Sequence, residues 1–176
     1  EKGILHRDLK PQNLMFRRDG SLAIVDFGIA KNIAAADRTN AGEVLGTPRY
    51  MSPEQVQGKA LDLRTDIYSA GVLLYQMLTG QLPLPEVETS DPLAKMLKRS
   101  FGAIKPLSEQ RNAPSEGLTR IIEKMMRIDL KARYQTMEQV VADLWAPLLG
   151  RARVGACDNF FELGGHSLLA TQVVSR

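Results

Sequence analysis

Apolar residues cluster along this chain in a few sharply different patterns. From Arg64 to Leu78 the run RTDIYSAGVLLYQML is apolar on nearly every face, and Gly80 follows as a C-terminal stop. A helix that is hydrophobic all round belongs in the middle of a domain. This one is too short, and too interrupted by Arg64, Asp66 and Gln76, to span a bilayer. Leu118, Ile121, Ile122, Met125 and Met126 recur at helical spacing with charged residues between them, which predicts an amphipathic outer helix whose methionines fill the core. Thr136 and Gln139 form a capping-box pattern ahead of Val140, Val141, Leu144, Trp145, Leu148 and Leu149, which predicts a third helix. Near the start, Leu14-Met15-Phe16 and Ser21-Leu22-Ala23-Ile24-Val25 flank Arg18-Asp19-Gly20, a short hairpin with an Asp-Gly turn. The sum is a mainly α chain with one small β-hairpin.

Composition narrows the classes. A chain of 176 residues buries about 70% of its unfolded surface if it forms one domain, ample for a core. A net charge of +3 without interleaved basic and aromatic residues argues against nucleic acid as a partner. No signal peptide or membrane segment is evident, and the single Cys157 has no partner in the chain, which suits a reducing, cytoplasmic compartment.

The chemistry concentrates in His6-Arg7-Asp8-Leu9-Lys10-Pro11-Gln12-Asn13, followed thirteen positions after Asn13 by Asp26-Phe27-Gly28. Taken singly, an Asp or Asn beside a turn is ordinarily a cap or a solvated loop residue. The joint spacing resembles the catalytic and metal-binding loops of eukaryotic-like serine/threonine protein kinases. That resemblance implies a transferase using ATP and Mg2+ to phosphorylate protein Ser/Thr hydroxyls. Asp8 would accept the hydroxyl proton, Lys10 would stand by the transferred phosphoryl group, and Asn13 and Asp26 would bind Mg2+. Met15 would floor the adenine ring, and the hairpin would hold Asn13 and Asp26 on one side.

Other segments resemble the family in the expected order. Gly46-Thr47-Pro48-Arg49-Tyr50-Met51-Ser52-Pro53-Glu54 looks like the end of an activation segment, with Ser-Pro-Glu where Ala-Pro-Glu is more usual. Thr47 would bond toward Asp8 and Lys10, and Glu54 would form a buried ion pair with Arg133. Leu130 stands where the family usually has Pro. Asp66 would brace the backbone around His6 and Arg7, with Phe27 as further structural support. Arg7 beside Asp8 resembles kinases ordered by a phosphate on the activation segment. Thr39, the only hydroxyl residue between Gly28 and Gly46, is the expected phosphosite.

A second resemblance lies at the other end. Asp158-Asn159-Phe160-Phe161-Glu162-Leu163-Gly164-Gly165-His166-Ser167-Leu168-Leu169 is similar to the prosthetic-group site of nonribosomal peptide synthetase carrier domains. There the corresponding Ser167 would carry phosphopantetheine, delivered by a phosphopantetheinyl transferase. Two glycines permit a tight turn, and a helix N-terminus suits a phosphate. The expected organisation is a kinase C-lobe over 1–143 and a partial carrier segment over 137–176, sharing the helix after Thr136, in which Pro147 is awkward for the carrier role. The chain opens at Glu1, just before the catalytic loop, and stops nine residues after Ser167. The expectation is therefore a fragment, lacking the ATP-binding lobe and later carrier helices and inactive alone. A non-catalytic acyl or peptidyl carrier, or an inert fusion fragment, remains an alternative.

Overall fold

The computed structural model describes residues 4–26, 48–84, 102–111, 113–150 and 162–163. They form a mainly helical unit with one two-stranded sheet. Strands β1 (Leu14–Phe16) and β2 (Leu22–Ile24) pair antiparallel with Leu14 opposite Ile24 and Phe16 opposite Leu22. The turn differs in detail from a two-residue Asp-Gly connection. Gly20 N–H donates to the Arg17 carbonyl, Arg17 N–H donates to the Ser21 carbonyl, and Gly20 takes φ +82°. The Asp-Gly pair thus closes a wider turn, with glycine at the left-handed position.

Helix α1 (Pro53–Val56) is a single turn, and α2 (Leu63–Thr79) is the buried axis of the lobe. The carboxylate of Asp62 caps α2 by accepting from Arg64 N–H, and Gly80, at φ +71°, ends it. Amphipathic α3 (Glu116–Met125) crosses α2, and α4 (Met137–Leu149) packs on α3. One buried cluster joins Tyr68 and Val72 of α2 to Leu9, Tyr50, Leu107, Leu118, Ile122 and Met126. A second joins Ile67 to Ile121, Met125, Tyr134 and Val140. Leu74 and Leu144 pack against both, so α2 and α4 bridge the two halves of the core. Met125 and Met126 are essentially fully buried, as core filler should be.

The cap of α4 is half of the expected box. Thr136 Oγ1 accepts from Gln139 N–H, but Gln139 Oε1 accepts from Gln135 N–H, one residue before the cap position. Pro147 does not end the helix, which runs on to Leu149 and stops at Gly150 in the left-handed conformation. So near the end of α4, its missing N–H costs only the bond to Asp143. The side chain of Asp143 is engaged separately by Tyr134, whose hydroxyl donates to Oδ2 over 2.6 Å. Burial, and then that bond, push the Tyr134 phenol well above its ordinary pKa.

Candidate active site

The loop from His6 to Asn13 is held from three directions. Leu9 is buried in the first core cluster and anchors its middle. From α2, the two carboxylate oxygens of Asp66 accept from His6 N–H (2.7 Å) and Arg7 N–H (2.9 Å). From the hairpin side, His6 Nε2 donates to the Val25 carbonyl (2.9 Å), while His6 Nδ1 accepts from Asp8 N–H (3.3 Å). These two bonds assign the ring proton to Nε2. Bidentate use of Asp66 explains how Arg7 is kept at φ +65°, a left-handed conformation that costs a non-glycine residue about 1–2 kcal/mol.

Three polar side chains of one loop come together. Lys10 Nζ lies 2.9 Å from Asp8 Oδ2, and Asn13 Nδ2 donates to the Asp8 carbonyl (2.8 Å) and to Asp8 Oδ2 (3.3 Å). With its nitrogen committed to Asp8, the 3%-exposed Asn13 keeps its amide oxygen for another partner. Val25 N–H donates to the Asn13 carbonyl (2.9 Å), and the Val25 carbonyl accepts from His6, so the residue before Asp26 is tied to both ends of the loop. Asp26 follows at φ +58°, exposed beside β2. Asn13 and Asp26 together offer an amide oxygen and a carboxylate, the donor types a hard cation such as Mg2+ takes. Among the described residues no three His, Cys, Asp or Glu side chains gather as an all-protein metal cage. Met15 stands on β1, 56% exposed, with Phe16, Leu22 and Ile24 also exposed on the hairpin.

Behind the loop, Glu54 and Arg133 form a buried ion pair. Arg133 Nη1 donates to Glu54 Oε1 (2.8 Å) and Nη2 to Oε2 (3.2 Å). Thr65 Oγ1 also donates to Oε1 (3.1 Å). The remaining donors of Arg133 reach the carbonyls of Arg64 and Arg127, and the guanidinium lies 5.0 Å from the centre of the Tyr68 ring. Burial by itself raises the pKa of Glu54; the hydrogen bond and charge of Arg133 outweigh it and hold the group below the ordinary value.

Two contributors escape motif reading. Gln55 Nε2 donates to the Arg7 carbonyl (2.8 Å), and Arg64 donates to the Leu130 carbonyl and to Gln135 Oε1. The Ser-x-x-Gln spacing of Ser52 and Gln55, a complete capping box, was the available signal for the first. Nothing local marks the second. Phe27, Thr39, Thr47 and Ser167 lie outside the described residues.

A helical lobe that presents a carboxylate, a lysine and an amide on one braced loop beside a hairpin is the architecture of a kinase C-lobe. Residues 1–146 match the family model described as protein kinase domain, and the chain belongs to the protein kinase family. Residues 139–176 match the model described as phosphopantetheine attachment site, so the two matches overlap on α4. The chain is 38% identical over 144 residues to a probable serine/threonine-protein kinase of Clostridium perfringens, covering 82% of this chain and 21% of that protein. It is 37% identical over 163 residues to the probable serine/threonine-protein kinase PknB of Bifidobacterium longum, covering 89% and 23%. Against the serine/threonine-protein kinase PknB of Mycobacterium tuberculosis it is 36% identical over 147 residues, covering 82% and 23%. The chain thus spans about a fifth of the length of these curated relatives. Among the described residues no helix is long and apolar enough to cross a membrane.

Proposed function

We propose that this lobe, in the full-length protein that contains it, transfers the terminal phosphoryl group of ATP to a Ser or Thr hydroxyl of a protein substrate. The observation that carries the proposal is the Asp8 carboxylate, held between Lys10 and Asn13 on a loop whose backbone is fixed by Asp66. Asp8 accepts a hydrogen bond from the incoming hydroxyl, aims its oxygen and takes its proton as the new bond to phosphorus forms and the bond to the bridging oxygen breaks, releasing ADP. Lys10, 2.9 Å from Asp8, supplies a positive charge beside the transferring group. Asn13 and Asp26 are the residues that would hold Mg2+, which would supply charge neutralisation for the phosphates. The hairpin, tied to the loop through Val25, keeps these two ligands in register with Asp8.

In the full-length protein, Asp8→Asn is expected to lower turnover by roughly 10²–10⁴-fold, the usual share of a general base. Asp26→Ala is expected to remove it, and both variants should melt like the parent. Phosphate transfer to a protein substrate, followed with labelled ATP, makes the measurement; near-normal turnover by a folded Asp8→Asn protein overturns the assignment.

The match of residues 139–176 favours a second activity at the other end of the chain. Ser167 receives phosphopantetheine there, from coenzyme A by way of a phosphopantetheinyl transferase, and serves as a carrier of acyl or peptidyl groups.

A further inference from the structure

Gln55 has no part in the chemistry above, yet both ends of its buried side-chain amide are engaged. Its Oε1 accepts from Ser52 N–H (3.0 Å), at the start of α1, and its Nε2 donates to the Arg7 carbonyl (2.8 Å). The side chain belongs to a residue only 3% exposed, where an amide end left without a partner is costly. The Arg7 carbonyl is one edge of the Arg7–Asp8 peptide, and the opposite edge, Asp8 N–H, points at His6 Nδ1 (3.3 Å). Arg7 is also the left-handed residue of the loop. Asp66 holds the chain where it enters that turn, and Gln55 holds it where it leaves.

Rotation of the Arg7–Asp8 peptide swings the Cα–Cβ direction of Asp8, and with it the carboxylate. A cavity of about 10 Å³ lies beside this peptide, lined in part by Arg7, Asp8, Lys10, Tyr50, Met51 and Gln55. It has room for about one water, so tight packing does not replace the bond if it is lost. We infer that Gln55 is a positioning residue for phosphoryl transfer, a clamp that fixes the aim of Asp8 to the seating of residues 52–56. It touches no reacting atom and acts through the Arg7–Asp8 peptide. The inference rests on the phosphoryl-transfer reading of Asp8.

The test compares Gln55→Met, Gln55→Ala and Ser52→Ala in the full-length protein, with kcat, KM for ATP and melting temperature measured for each. Ser52→Ala removes the cap bond to Gln55 N–H but leaves the link to Arg7. Misaiming a catalytic group by a fraction of an ångström to an ångström lowers turnover by about 10–100-fold. Both Gln55 variants should show that loss in kcat, with KM for ATP within about twofold of the parent and with turnover by Ser52→Ala unchanged. If Gln55 were only a cap, all three variants would lose a little thermal stability and keep their kcat, which would overturn the inference alone. Gln55→Ala carries the test if Gln55→Met does not fold. Absence of phosphate transfer by the unsubstituted full-length protein overturns the phosphoryl-transfer reading, and this inference with it.

Discussion

Arg133 is a cation with almost no contact with water, and all three of its guanidinium nitrogens donate, to the two oxygens of Glu54 and the carbonyls of Arg64 and Arg127. Taking either ion of such a pair away strands the other in a medium that solvates it poorly. Glu54→Ala is therefore expected to cost about 3–5 kcal/mol, read from chemical denaturation. Arg133→Lys should also be damaging, because a single ammonium cannot span the fork geometry that four acceptors require. The pH dependence has a definite sign. Glu54 is depressed in the folded state, so its contribution is fully present above its unfolded pKa of about 4.3 and is lost as pH falls through the lower folded value. Denaturation midpoints measured downward from pH 5 should show a loss in the parent that is smaller in Glu54→Gln. At this scale the sequence spoke clearly where residues share a fixed spacing, as in His6 to Asn13, and where a motif names its distant partner, as Glu54 does Arg133. The Ser52 to Gln55 spacing marks a cap but not the bond to Arg7, and nothing local marks Arg64; both reach backbone carbonyls that any residue type can supply.

Elements meet at one unusually close crossing. A Cβ placed on Gly71 of α2 would lie 2.9 Å from Met125 Cβ and 2.9 Å from Met126 Cγ at the end of α3. Met125 Cβ is fixed by its own backbone and cannot swing aside. Gly71→Ala gains about 1 kcal/mol of helix propensity, against about 1–3 kcal/mol for overpacking. The net expectation is a loss of about 1 kcal/mol for Gly71→Ala and about 3 kcal/mol for Gly71→Val, measurable as successive falls in melting temperature. The positions of α2, α3 and α4 were legible from periodicity because each buries a long apolar face. Their approach was not, since a glycine inside a helix reads as a weakness until the helix that crosses it is known. The same holds for Thr119, buried on α3 although polar, and for the Gln139 side chain, which turns to Gln135 rather than to Thr136.

For the whole molecule, the decisive element is α4. It contributes Val140 to the second cluster and Leu144 to both, and residues 139–146 lie within both family matches. The stretch that both matches share therefore lies on a helix packed against the kinase lobe. Incubating the full-length protein with coenzyme A and a broad-specificity phosphopantetheinyl transferase should add the mass of one phosphopantetheinyl group, and Ser167→Ala should gain none. No gain by the parent, or an equal gain by the variant, would remove the carrier reading. The buried ion pair has a further consequence, in time rather than in space. Arg133 is made 79 residues after Glu54, an interval of roughly 4–16 s at ribosomal rates of about 5–20 residues per second. Until the later residue leaves the ribosome, Glu54 is a carboxylate with nothing to neutralise it, and α1 has no reason to leave water. The bond that Gln55 of α1 gives the Arg7 carbonyl must therefore wait as well. The loop from His6 to Asn13 thus takes its final set of bonds only after Arg133 has been made, and slow codons between positions 54 and 133 lengthen that wait in proportion.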